Sequence, residues 1–475
     1  MKHYPLYLAG RFQDTAQKID IVQPYDQSVV ATVAQAGKAE IEEAITAAET
    51  SFALTRAQEP YQKAEILEHI VKRLRERHEE FAQAICKENG KTIKEARGEV
   101  TRAISTFETA VHEAWQIDGQ AFDAGITAAA QGRRILVRKF PIGPIAAIAP
   151  FNFPLNLSVH KIAPAIAAGC PIVLKPASRT PLSCLLLSEI IHETAWPKGA
   201  FSCLPCDREA GQMLVEDDRL KLLSFTGSPS VGWKMKKDAG KKKVVLELGG
   251  NAGLLIDKGP HDWDRLIARA IMGAFYQAGQ SCISVQRIYC HADAYDEFKK
   301  RFVAAAAKLK VGDPSKEDTD IGPLIDAGNR DRILQWIEEA VGKGATLLTG
   351  GKSEGNAVSP AVLENVPEDV KLSCEEAFGP VVCLQNVADM DEAVRRVNDS
   401  VFGLQCGIFS NDFAFIQRAF NALDVGGVIV GDVPSFRVDH MPYGGIKDSG
   451  LGREGVRYAM EDMLEPKAMV YFSAF

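Results

Sequence analysis

The chain has 475 residues, about three times the size of a common single domain, so at least two domains are expected and a large core is easily buried. Its composition, 46% hydrophobic and 25% charged, is that of a soluble globular protein, and a formal net charge of −7 excludes nucleic acid or an anionic membrane surface as the main partner while leaving room for local basic patches. Ten irregularly spaced cysteines are too sparse for a disulfide scaffold, no apolar run is long enough to span a bilayer, and the opening Met-Lys-His-Tyr-Pro-Leu lacks the layout of a secretory signal, so a reduced, cytoplasmic protein is expected.

After a short N-terminal arm the pattern predicts helices over 39–53, 61–88 and 91–115; Ile66, Ile70 and Leu74 fall on one face at i, i+4 and i+8. Residues 119–139 alternate small, polar and apolar side chains, as an exposed hairpin does. From residue 145 onward short β-branched runs at 145–149, 172–175, 201–204, 222–225 and 244–248 are separated by helix-length segments. Strands alternating with helices predict an α/β architecture with a doubly wound parallel sheet, which binds ligands at the carboxyl ends of its strands. Lys175, Thr226-Gly227-Ser228 and Glu247 lie at such ends. A second strand-helix series runs through 254–256, 288–289, a helix over 295–309 and a strand at 428–430, and predicts another α/β domain; 467–475 again has strand character. No internal repeat or low-complexity tract interrupts the chain.

Two segments 35 residues apart make most sense as one site: Val-Leu-Glu247-Leu-Gly-Gly and Gly-Gln-Ser-Cys282. A thiol can attack a carbonyl, and a carboxylate can activate the water that later releases the product. Taken singly, each residue has a plainer reading: Cys282 as a buried inert thiol, Glu247 as a structural charge paired with one of Lys241 to Lys243. In Pro150-Phe151-Asn152-Phe153-Pro154 the prolines fix the backbone around Asn152, which is either a turn former or an amide donor able to hold an oxyanion. Leu223-Ser-Phe-Thr-Gly227-Ser228-Pro-Ser-Val-Gly232 follows a strand and opens a helix, so its backbone N–H groups and dipole can meet a pyrophosphate. Cys203-Leu-Pro-Cys206 reads as a strand end or a redox pair, and no His or Cys spacing supports a metal site.

Taken together and in this order, these motifs resemble the aldehyde dehydrogenase superfamily over nearly the whole chain. The resemblance implies two doubly wound parallel-sheet domains and a small β flap: a cofactor-binding domain from 1–118 and 140–248, a catalytic domain at 249–440, and an oligomerisation flap from 119–139 and 460–475 that makes the protein a homodimer or homotetramer. It implies Cys282 as nucleophile, Glu247 as general base, and Asn152 with the Cys282 backbone N–H as the oxyanion hole. NAD or NADP is the implied cofactor, held by Lys175, Ser178, Thr226, Gly227, Ser228, Gly232, Glu376 and Phe378. Many NAD-preferring members carry a glutamate where this chain has Ser178, followed by Arg179, so the preference between the two stays open. The implied reaction takes a small aldehyde to its acid through a cysteine thiohemiacetal and a thioester. A coenzyme A-acylating enzyme, whose relatives usually lack the glutamate, and a non-catalytic protein that kept the fold are the alternatives. His160 lies about two helical turns past Asn152, and Arg102 and Arg437 belong to segments that approach the substrate in relatives. Either arginine grips an anionic group on the aldehyde, or Arg102 is a solvated helix residue and His160 a satisfied core histidine. Ser281, where members acting on phosphorylated aldehydes often have arginine, speaks against an anionic substrate, and the pattern is closest to relatives handling lactaldehyde and other small aldehydes.

Overall fold

The computed structural model describes residues 2–472. Its larger sheet has eight strands in the order Gly450–Leu451, Lys243–Glu247, Leu222–Thr226, Ile145–Ile148, Ile172–Lys175, Phe201–Cys203, Leu6–Leu8 and Arg11–Gln13. The five central strands are parallel, and antiparallel pieces close both edges. Their central position explains the near-continuous apolar runs: both faces are covered, one by the helices of the main core cluster and the other by Lys38–Ala57 and its neighbours. Strand order runs outward in one direction from Ile145–Ile148 and in the other from Leu222–Thr226, so these two neighbours flank a topological switch point, where such sheets bind ligands.

The second sheet has seven strands in the order Thr346–Thr349, Ala361–Glu364, Val381–Val387, Arg287–His291, Gly253–Ile256, Gln405–Phe409 and Gly427–Val430, all parallel except the first. Its two faces bury separate apolar clusters. Gln120–Asp123, Arg133–Pro141 and Leu464–Phe472 form a three-stranded antiparallel sheet apart from both. The last of these strands is paired on one side only and leaves Met469, Val470, Tyr471 and Phe472 exposed.

Two expectations change. The N-terminal arm is ordered as short strands: Leu6–Leu8 and Arg11–Gln13 extend the large sheet, while Lys2–Tyr4, Val29–Ala34 and Lys18–Val22 make a sheet of their own. Strands of three residues carry too little alternation to be read. The helix predicted over 61–88 is two, Pro60–Glu76 and His78–Asn89, broken at Arg77, where neither glycine nor proline marks the kink. The strand character expected over 467–475 is met in Leu464–Phe472, and residues 473–475 lie outside the described residues. Among the described residues no helix is long and apolar enough to cross a membrane, and no three His, Cys, Asp or Glu side chains are grouped to hold a metal ion.

Candidate active site

Helix Trp263–Phe275 ends in a turn, Tyr276–Gly279, in which Gln277 (φ 57°), Ala278 (φ 52°) and Gly279 (φ 69°) are all left-handed. Two non-glycine residues in that region cost roughly 1–3 kcal/mol each, and such strain persists only where the surroundings over-determine it. Here the Gln277 N–H donates to Glu95 Oε1 (2.7 Å), its side-chain amide donates to Asn89 Oδ1 (2.6 Å), and Gln280 Oε1 accepts from the Ile325 N–H (3.0 Å). At Gly279 a Cβ would stand 2.1 Å from the Gly379 carbonyl oxygen, so glycine is required.

The turn presents Cys282 where two cavities meet. One, of about 500 Å³, lies over the switch point, between Ile148 to Asn152, Phe225 to Ser228, and Glu247 to Gly249, with Glu376 and Phe378 opposite. The other, of about 220 Å³, is walled by Arg102, Phe153, Arg269, Tyr276, Arg437 and Tyr443. Asn152, Leu157 and Cys282 line both. Cys282 is only partly covered, but burial pushes its thiol up to about 12, against the hydrogen bond from Tyr443.

Asn152 is buried and donates from Nδ2 to the Gln280 carbonyl (3.0 Å), which fixes the amide beside Cys282 and leaves its second N–H free. Glu247 ends its strand in register with Thr226 and is 3% exposed, yet neither carboxylate oxygen has a hydrogen-bond partner. Burial, followed by the neighbouring Glu454, raises its carboxyl well above the usual range. The plainer pairing with Lys241 to Lys243 is not made by Lys243, which meets Glu465 at 2.8 Å.

The large cavity suits a dinucleotide. A Cβ on Gly227 would lie 2.5 Å from the Phe225 ring, and one on Gly232 would lie 2.5 Å from Leu248 Cδ2, so helix Pro229–Asp238 can seat this close to the sheet only with glycine at both positions. Ser228 at its N-cap makes no side-chain cap, which leaves the first-turn N–H groups for an anion. Across the cavity Glu376 accepts from the Gly250 N–H (3.0 Å), with its carboxyl raised by burial to about 7. Phe378 stands edge-on to Phe151 at 5.8 Å. Lys175 and Ser178 are not in the cavity wall. They lie just beyond it at the strand end, Lys175 with its stem over Gly211 and Ser178 donating to the Cys206 carbonyl (3.2 Å).

The three substrate candidates separate. Arg102 and Arg437 line the smaller cavity, whereas His160 reaches neither and sits behind Arg437, which donates to its Nδ1 (3.2 Å). His160 Nε2 is 3.2 Å from Asp439 Oδ1 but is not aligned for a hydrogen bond. Arg437 also donates to Glu454 Oε2 (3.0 Å) and covers the Tyr443 ring at 3.7 Å. Glu454 takes a second cation: Lys161 Nζ donates to its Oε1 (3.1 Å), to Thr226 Oγ1 (2.8 Å) and to Ser224 Oγ (3.1 Å). Reasoning from sequence missed Tyr443, Glu454, Asp439 and Arg269. The available signal was Lys161, a cation in the wholly buried helix Asn156–Ala168, which demands a buried partner.

Comparison with known proteins places the chain among enzymes of one family. Residues 12–469 match the aldehyde dehydrogenase family. The chain is 41% identical to 3-sulfolactaldehyde dehydrogenase of Priestia aryabhattai over 99% of its length and 98% of the relative's. It is 49% identical to aldehyde dehydrogenase 21 of Physcomitrella patens, solved with the reaction product succinate, at a TM-score of 0.98 covering 100% and 99% of the two chains. Glyceraldehyde-3-phosphate dehydrogenase of Methanocaldococcus jannaschii, solved with NADP, is 37% identical at a TM-score of 0.92 over 96% and 100%. Matched over nearly its whole length by the family and by these relatives, the chain belongs to the aldehyde dehydrogenase family, the enzymes that oxidise aldehydes with NAD or NADP.

Proposed function

We propose that this enzyme oxidises a small aldehyde bearing an anionic group at its far end, using Cys282 as nucleophile, Asn152 as oxyanion donor and Glu247 as base. One observation carries the substrate class: the side chains of Arg102 and Arg437 line the same 220 Å³ cavity beside Cys282. A carboxylate, sulfonate or phosphate entering there would meet two guanidinium cations and gain charge-assisted hydrogen bonds that a neutral group cannot make. Some relatives support this by name, one acting on sulfolactaldehyde, one on glyceraldehyde 3-phosphate and one solved with succinate, whereas others at 36% identity are named for lactaldehyde, which carries no charge. The cavity is smaller than the roughly 300–1,000 Å³ typical of drug-sized ligands, so the aldehyde is short. On this reading Ser281, which pointed away from an anion, matters less, because the cations come from other segments.

In the reaction the Cys282 thiolate forms a bond to the carbonyl carbon, and the free N–H of Asn152 with the Cys282 backbone N–H receives the developing oxyanion. The dinucleotide, when bound, supplies the hydride acceptor that turns the thiohemiacetal into a thioester. Thr226 to Gly232 would hold its pyrophosphate, Lys175 and Ser178 its adenosine end, and Glu376 and Phe378 its nicotinamide end. Glu247 then takes a proton from water; the hydroxide adds to the thioester carbon, the C–S bond breaks, and the thiolate leaves with the acid as product. A carboxylate with both oxygens unpartnered favours water over coenzyme A as acceptor. With no acid at Ser178, NADP is accepted as well as NAD.

The half-paired, apolar strand Leu464–Phe472 is best covered by a second copy of the chain, so we read the protein as a homo-oligomer, with a single monomeric boundary in sedimentation as the contrary result. All ten cysteines are free thiols, as a reducing cytoplasm allows. The substrate reading is tested by comparing kcat/KM for short aldehydes with and without a terminal carboxylate, sulfonate or phosphate: the anionic members should lead by at least about tenfold. Equal values for neutral and anionic aldehydes would remove it.

A further inference from the structure

We propose that Tyr443 is a further catalytic residue, whose hydroxyl donates a hydrogen bond to the sulfur of Cys282 and holds it as the thiolate that attacks the aldehyde. This rests on Cys282 being the nucleophile. Tyr443 Oη lies 3.1 Å from Cys282 Sγ, and the tyrosine is 3% exposed, so the contact is dry and close. No lysine or arginine makes a hydrogen bond to the sulfur, and none to Glu247 exists, so the hydroxyl is the one side-chain donor bonded to the thiol among the described residues.

The phenol cannot swing away. Its backbone is paired with Glu454 in both directions, Tyr443 N–H to the Glu454 carbonyl (2.9 Å) and Glu454 N–H to the Tyr443 carbonyl (2.6 Å). Arg437 covers one face of the ring at 3.7 Å and is itself anchored by the Glu454 side chain, while Ile283 and Leu404 pack around the ring. Thus the buried Lys161–Glu454–Arg437 cluster, which makes no hydrogen bond to the sulfur, fixes the position of a group that does.

The direction of the bond follows from chemistry. A thiolate has no proton to give, and burial followed by neighbouring Cys282 keeps the phenol protonated well beyond the ordinary tyrosine range, so Tyr443 is the donor. The charged groups facing the sulfur are Glu376 and Glu247, which oppose its ionisation, and Arg437, which favours it. Tyr443 keeps its proton throughout and no bond to it is made or broken. Because it also lines the substrate cavity, the hydroxyl remains beside the tetrahedral carbon after attack.

The test is the ionisation of Cys282 in the full-length enzyme without aldehyde or dinucleotide, read as the pH dependence of its alkylation by iodoacetamide at the Cys282 peptide. Tyr443→Phe keeps the ring under Arg437. Loss of one hydrogen bond to an anion should raise the alkylation midpoint by about one to two pH units and slow alkylation near neutrality about tenfold or more, with unchanged dinucleotide affinity. Replacing Tyr443 by 3-fluorotyrosine, a stronger donor of nearly the same shape, should move the midpoint down. A midpoint unmoved in both variants overturns the proposal. Full turnover in Cys282→Ala would instead overturn the nucleophile assignment, and the two failures are read separately.

Discussion

The two cavities that share Cys282 are built by different means. The crevice proposed for the dinucleotide is shaped largely by backbone: strand ends at a switch point, glycines at 227, 232 and 249 that let the helix and the opposing Glu376 come close, and an uncapped helix start. The substrate cavity is made of side chains from separate stretches of the chain, and its cations are poised by acids outside its wall: Arg437 by Glu454, Arg269 by Asp432, Arg102 beside Asp439. A backbone site constrains local sequence. A side-chain site constrains only the sum of charges and shapes brought together, and so sets specificity.

If this contrast is right, the substrate side should break selectively. Arg102→Leu removes a part-exposed cation without disturbing the buried Arg437–Glu454 pair, and should lower kcat/KM for the anionic aldehyde by about 10–100-fold while leaving a neutral aldehyde of equal length within about threefold. Equal losses on both substrates would mean that Arg102 shapes the wall and does not read charge.

The crevice should break by crowding. Gly232→Ala places a methyl 2.5 Å from Leu248 and 3.2 Å from the Phe225 ring, so the helix must back away. Overpacking of this kind costs about 1–3 kcal/mol. The expected result is a dinucleotide KM raised several-fold and a thermal midpoint lowered by a few degrees, with the ratio of anionic to neutral aldehyde turnover unchanged. A changed ratio would show that the two cavities are not independent.

The smallest effect concerns Glu247, whose carboxyl is raised by burial and by Glu454. A carboxyl whose folded value lies above its unfolded value favours the fold while both forms are protonated, and that advantage is lost as pH rises from the unfolded value, about 4.3, through the folded one. Glu247→Gln removes the liability, so its thermal midpoint should exceed that of wild type at neutral and alkaline pH, with the gain shrinking as pH falls and vanishing only below about 4.3. Glu454 has the opposite sign: against burial, Lys161 and then Arg437 hold its carboxyl below the usual range, so its contribution is present above the ordinary carboxylate range and fades as pH falls below it. A midpoint gain for Glu247→Gln that appears only in acid would contradict the assignment of which carboxyl is raised.

The same contrast explains how much the sequence revealed. Strands at 145–148, 172–175 and 222–226 were legible because both faces are buried and the runs are apolar, and the motif around Gly227 marks its own backbone. Cys282, Glu247 and Asn152 could be proposed from sequence because each lies in a short motif that resembles the family's, Gly-Gln-Ser-Cys282, Glu247-Leu-Gly-Gly and Pro-Phe-Asn152-Phe-Pro. Tyr443 and Glu454 were not, since nothing near residue 443 points to a cysteine 161 positions earlier. Arg102 and His160 looked alike as isolated charges or rings in helices. What separates them is that one helix faces the cavity and the other places its histidine under Arg437, a distinction that only packing decides.

The most direct test of the whole account is the mass of Glu247→Gln after mixing with an anionic aldehyde and NADP. If Cys282 captures the aldehyde and Glu247 frees the acid, one equivalent of reduced dinucleotide should form per site, steady turnover should fall by about a hundredfold or more, and an acyl group should be found on the Cys282 peptide. Undiminished steady turnover with no acyl group on that cysteine would contradict it.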